Sequence, residues 1–177
     1  MKHILLYLFL LASSAMFAAE TQEAFLHPEL ESFRPFLNTT YRGEFTNSTP
    51  EKPVIDISQW ERHLNGNAIR VTHSINQGEY GGESIIFWDS SKKTLVGYYF
   101  TTGGFFTVAE IQVKDGSVIS REQVTGNQNG ITEVKATATL NSDGSMTTKS
   151  EYLKEGKWVP GHSATYYPTT EHKVIFK

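Results

Sequence analysis

The chain has 177 residues, of which 38% are apolar, 20% are charged and none is cysteine. That is one domain's worth of chain, able to bury a core without cross-links, and the missing cysteine excludes a disulfide framework, a thiolate metal site, an iron–sulfur cluster and a cysteine nucleophile. With 16 basic against 19 acidic residues and a formal net charge of −3, the chain lacks the basic excess of an electrostatic nucleic-acid binder, so no nucleic-acid partner is expected.

Met1-Lys2-His3 precedes an apolar run over residues 4–11 and the small-residue stretch Ala12-Ser13-Ser14-Ala15. A short positive start, a brief apolar segment and a small-residue exit describe a secretory signal peptide. Glu20 arrives before the ~20 apolar residues that a spanning helix needs. The expected organisation is a signal peptide over 1–19, an N-terminal segment over 20–38 and a β-barrel domain over 39–177. The protein would be secreted or periplasmic, with no stable membrane span after leader removal. Without cysteine, such a chain must draw its stability from core burial and strand pairing. The sequons at Asn38 and Asn47 are read as coincidental.

Residues 27–37 form the one helical candidate, with Leu30, Phe33 and Leu37 at three-to-four spacing. Pro28 suits a first turn, and Pro35 shortens or kinks the element. Ten β-rich runs follow, over 40–46, 54–64, 68–75, 83–89, 94–101, 105–113, 117–124, 131–140, 145–153 and 157–167. Between them stand turn signals such as Asn65-Gly66, Asp115-Gly116 and Asp143-Gly144, which supply the positive φ of tight hairpins. Short turns throughout predict an antiparallel meander. Left open, it would expose two long aromatic edges; closing it into a barrel removes both.

Turn parity then assigns faces, because side chains alternate along a strand. Phe105, Thr107, Ala109, Ile111 and Val113 fall beside Val118, Ser120, Glu122 and Val124. Val134, Ala136, Ala138 and Leu140 fall beside Met146, Thr148, Ser150 and Tyr152. That face continues into Trp158, Pro160, His162, Ala164 and Tyr166. Earlier in the chain, Ile69, Val71, His73 and Ile75 form an inward stripe. Glu83, Ile85 and Phe87 with Val96, Tyr98 and Phe100 are taken as inward, although Ser84, Ile86 and Trp88 with Leu95, Gly97 and Tyr99 are nearly as apolar.

The interior so assigned is rich in hydroxyls and imidazoles. Unpaired buried polar groups cost roughly 1–3 kcal/mol each, a cost that a cavity and its contents relieve. The expected function is binding of a small apolar or amphipathic molecule inside the barrel. The candidate ligand-binding residues are His73, His162, Arg42, Glu83, Phe87, Tyr98, Phe100, Tyr152 and Tyr166. Two other readings remain: an isomerase, cyclase or lyase using His73 with Glu83 as an acid–base pair, and an envelope interaction module presenting Trp88, Tyr99 or Phe106. The histidines show no HExxH or H-x-H spacing, and no metal, cofactor or catalytic residue is assigned.

The helix followed by Tyr41-Arg42-Gly43-Glu44-Phe45, together with Tyr80-Gly81-Gly82-Glu83-Ser84-Ile85-Ile86-Phe87-Trp88 and Tyr98-Tyr99-Phe100-Thr101, resembles a family of uncharacterised bacterial exported domains with calycin (lipocalin-like) β-barrels. The resemblance spans roughly 36–167. It implies an all-β fold, an antiparallel meander closed into a calycin-like barrel of about ten strands with one short N-terminal helix. The lipocalin Gly-x-Trp opening is replaced here by Tyr41 and Gly43 without a Trp. Nitrobindin-like haem barrels are a related group, for which His162 on a late strand would be the iron ligand; their early glycine-rich signature is missing from this chain.

Overall fold

The computed structural model describes residues 24–126 and 129–177; the expected leader lies outside them. Ten strands close into one antiparallel barrel. They are β1 (Thr39–Phe45), β2 (Ile55–His63), β3 (Ala68–Ile75), β4 (Tyr80–Asp89), β5 (Thr94–Thr101), β6 (Phe106–Lys114), β7 (Ser117–Thr125), β8 (Ile131–Leu140), β9 (Met146–Lys154) and β10 (Lys157–Pro168). Each strand pairs with its neighbour in the chain, and β10 returns to pair with β1, so no sheet edge is left. Asp115-Gly116 and Glu155-Gly156 both carry positive φ at their two positions, the geometry of the two-residue turn whose twist matches the flanking strands. Among the described residues no helix is long and apolar enough to cross a membrane.

One end of the barrel is stoppered. Pro28–Phe36 forms a 3₁₀ helix, capped where the Glu29 N–H donates to His27 Nδ1 at 3.3 Å. A 3₁₀ helix turns once in three residues, so Leu30, Phe33 and Phe36 line up and are 0–1% exposed. An α-helical spacing would have selected Leu37, which instead ends the element. The aromatic rings stack on Trp60, with centroids 6.4 Å away for Phe33 and 5.1 Å for Phe36. Ile69, Ile86, Leu95, Ile111 and Met146 complete this core. The His27 N–H donates to the Gly66 carbonyl and the Asn38 N–H to the Trp60 carbonyl, both at 2.8 Å, pinning both ends of the stopper to the rim.

The register decides which side chains look inward. The pairings Ala109↔Glu122, Ala136↔Ser150 and Ala164↔Thr148 place the β6–β9 faces and the end of β10 inside, as turn parity expects. Two assignments are corrected. Between β4 and β5 the inner face is Ser84, Ile86 and Trp88 with Leu95, Gly97 and Tyr99; Glu83, Phe87 and Phe100 lie outside. The two faces differ little in hydrophobicity, so alternation alone could not separate them. Along β10 the register shifts between Pro160 and Ser163. This bulge keeps His162, Ala164 and Tyr166 inside and turns Trp158 outward, where the Lys135 ammonium sits 3.9 Å above its ring. The Tyr80-Gly81-Gly82 segment, expected in a loop, opens β4.

Candidate functional site

Above the stopper the barrel encloses a cavity of about 650 Å³. Its lower wall is apolar, formed by Val71, Ile86, Ala109, Ile111, Val118 and Met146. Above it the wall is mixed: five strands bring Asp56, His73, Tyr80, Tyr99 and Tyr166 together, among Phe45, Ile75, Phe105 and Val134. Asp56 on β2 faces Ile75, and His73 on β3 faces Gly82, across neighbouring ladders. His73 Nδ1 lies 2.9 Å from Asp56 Oδ1, and His73 Nε2 lies 2.7 Å from the Tyr99 hydroxyl. Tyr166 donates its hydroxyl to Asp56 Oδ2 at 2.7 Å, and the Tyr80 and Tyr99 hydroxyls are 3.3 Å apart. The five residues Tyr166, Asp56, His73, Tyr99 and Tyr80 thus form one continuous hydrogen-bonded chain from β10 to β5.

Two glycines make room for it. A Cβ on Gly43 would stand 2.6 Å from the Tyr166 ring, and one on Gly82 would strike the Tyr99 ring and the Phe100 carbonyl. Each tyrosine therefore lies flat over a bare stretch of the adjacent strand, which aims its hydroxyl into the chain. Burial, with the Tyr80 phenol and the Asp56 charge adding to it, pushes the Tyr99 hydroxyl far above the ordinary phenol range. Burial and Asp56 do the same to Tyr166. Both phenols stay protonated as hydrogen-bond donors. Asp56 at Nδ1 and the Tyr99 hydroxyl at Nε2 hold the His73 ring in one orientation.

A second polar group stands across the cavity. Glu122 accepts from Thr107 Oγ1 at 2.8 Å and from Ser120 Oγ at 2.9 Å. Burial pushes its carboxyl up, and the two hydroxyls pull the other way. His162 stacks on Phe45 with centroids 4.7 Å apart and meets the edge of Tyr152 at 5.6 Å; burial lowers its pKa and keeps the ring neutral.

Of the nine candidate residues, His73, His162, Tyr152 and Tyr166 come together around the cavity. Tyr98 borders the cavity, but its ring stacks outside on Phe87, nearly coplanar at 6.2 Å. Arg42 alternates outward between Tyr41 and Gly43. Glu83 also points outward and pairs with Arg70 at 2.7 Å; it cannot form an acid–base pair with His73, and Asp56 holds that place. Phe100 is exposed and stacks on Phe106. Tyr99 is inside, and Trp88 packs on the core, so the proposed aromatic patch retains only Phe106. Sequence reasoning missed Asp56, Tyr80 and Tyr99. The signal was available in Asp56-x-Ser58-x-Trp60, an inward face more polar than its Ile55, Ile57 alternative. Among the described residues no group of three or more His, Asp or Glu could hold a metal ion.

Fold and interior define a closed ten-stranded antiparallel barrel with an internal cavity lined by apolar and polar side chains. No family model matches the chain, and no curated protein matches it. Among solved structures it is similar to the crystal structure of Rv2717c from M. tuberculosis, with a TM-score of 0.61 and 11% sequence identity, covering 82% of this chain and 99% of that one. At that identity the likeness is one of fold.

Proposed function

We propose that this protein is an exported calycin-like barrel that binds one small amphipathic molecule in its interior. The observation that carries the reading is the cavity of about 650 Å³, whose mainly apolar lining is interrupted by Asp56, His73, Tyr99, Glu122 and His162, within the size range of small-molecule sites. Burying the apolar part of a ligand contributes ~25 cal/mol per Å², and His73, Tyr99 and His162 supply groups that fix its orientation. Incubating the purified protein with a lipid-extract pool and identifying what co-elutes by mass spectrometry tests this. A stoichiometric small amphiphile is expected, and consistent recovery of bare protein would end the reading. Sequencing the mature N-terminus from culture fluid or envelope fractions tests export, with a start between residues 16 and 20 expected.

A second reading, acid–base catalysis, draws on the Asp56–His73–Tyr99 chain, which presents an oriented imidazole beside a protonated phenol. It predicts that the co-eluting molecule is chemically altered by the wild type and left intact by His73→Gln.

A further inference from the structure

Two carboxylates, Asp56 and Glu122, line the cavity. Asp56 is satisfied by His73 and Tyr166, whereas Glu122 is held by the Thr107 and Ser120 hydroxyls alone. Two hydroxyl donors leave lone pairs on both carboxylate oxygens, on the side facing the cavity. Among the described residues no arginine lines this space, and the one lysine that borders it, Lys149, is exposed on the outer face of β9. His162 offers no compensating charge, since burial keeps it neutral. Tyr99 on β5 and Tyr152 on β9 flank Glu122 two strands away on either side, both near enough to feel its charge. Aromatic faces around a carboxylate favour a cation and disfavour an anion.

We infer that the ligand is a cationic amphiphile, an organic amine whose ammonium group sits against Glu122 among Tyr80, Tyr99 and Tyr152 while its apolar body fills the Val71, Ile86 and Ala109 side of the cavity. The inference rests on the reading of the barrel as an amphiphile carrier and adds the charge of the ligand's polar end. Shape alone would accept an alcohol or a fatty acid of the same length. Charge would not, because an anion would meet Glu122 with no arginine among the described lining residues to offset it.

The test is a matched series, decylamine, decanol and decanoate, titrated calorimetrically into the full-length mature protein at pH 7.5. Decylamine is expected to bind at least tenfold more tightly than decanol, and decanoate more weakly than either. In Glu122→Gln, whose amide keeps both hydroxyl partners, the amine-to-alcohol ratio is expected to fall to near one. The wild type supplies the same test without a substitution. An alkylammonium holds its charge up to about pH 10, so the ratio is expected to climb with pH as Glu122, whose carboxyl burial pushes above 4.5, ionises. Asp56, His73, His162, Tyr80, Tyr99, Tyr152 and Tyr166 face the same space, and the part of the climb owed to Glu122 is the part that Glu122→Gln removes. Decanol or decanoate binding as tightly as the amine would overturn the inference and leave the carrier reading standing, as would an amine preference that survives Glu122→Gln. Failure of all three probes to bind folded protein would overturn both.

Discussion

Gly43→Ala is a small change with a large expected effect. The new methyl would stand 2.6–2.8 Å from three carbons of the Tyr166 ring, where ordinary contact is ~3.5–4 Å. The ring must recede by about 1 Å, in a core where Tyr166 is only 5% exposed. Overpacking of this kind costs ~1–3 kcal/mol. The same displacement stretches the 2.7 Å bond from the Tyr166 hydroxyl to Asp56 beyond useful range, adding ~1.5–3 kcal/mol for a hydrogen bond to a charged group. Together they predict a loss of about 2.5–6 kcal/mol. Urea unfolding followed by circular dichroism measures it, with a lowered midpoint and an unchanged slope. Tyr166→Phe removes only the hydrogen bond, so the double variant should lose less than the sum of the singles by that hydrogen-bond share. A Gly43→Ala protein within about 0.5 kcal/mol of wild type, or strict additivity with Tyr166→Phe, would refute the account of the Tyr166 placement.

Phe33→Ala at the centre of the stopper removes a fully buried ring and should cost ~3–5 kcal/mol by denaturant titration. Trp60→Phe should cost under ~1.5 kcal/mol despite the lost volume, because it also removes the indole N–H, which is buried without a partner; Trp60→Ala should cost ~3–5 kcal/mol. Folding raises the Glu122 carboxyl above 4.5, so its contribution to stability is complete below 4.5 and lost as pH rises through the raised value. Stability of Glu122→Gln measured from pH 4 to pH 8 should therefore gain on wild type toward the alkaline end. Folding lowers His162 below 6.5, so its contribution is present above 6.5 and lost as pH falls through the lowered value. His162→Phe should flatten the acid limb between pH 6.5 and pH 4.

The strands were legible in the sequence because their turns are punctuated by glycine: the expected runs over 68–75, 94–101 and 131–140 coincide with β3, β5 and β8. Facing was legible where one face is clearly more apolar, as in β6 to β9. It failed in β4 and β5 for a physical reason. A barrel that keeps a polar cavity spends polar residues inside, so Ser84, Gly97 and Tyr99 look like an outer face. Part of the true outer face is covered, moreover: Ser74, outward on β3, is 1% exposed and accepts from the Ile175 N–H of the C-terminal segment at 3.0 Å. The hydrogen-bonded chain through Asp56, His73 and Tyr99 was illegible because it joins β2, β3 and β5 through register, which no single strand reveals. The β10 bulge was equally hidden. Gly161 marks it, where a Cβ would press on the Ser150 hydroxyl and the Tyr152 ring, but nothing local says that Pro160-Gly161 shifts a ladder.

The ladder between the first and last strands, with Tyr41 opposite Pro168, also sets the timing of folding. Every other ladder joins neighbours in the chain and can zip as soon as its hairpin emerges, whereas this clasp waits for the final strand and carries the longest loop-closure cost. Synthesis that stalls before β10 leaves an unlatched ribbon with its interior open. Retention of any ligand therefore begins only when the chain is nearly complete.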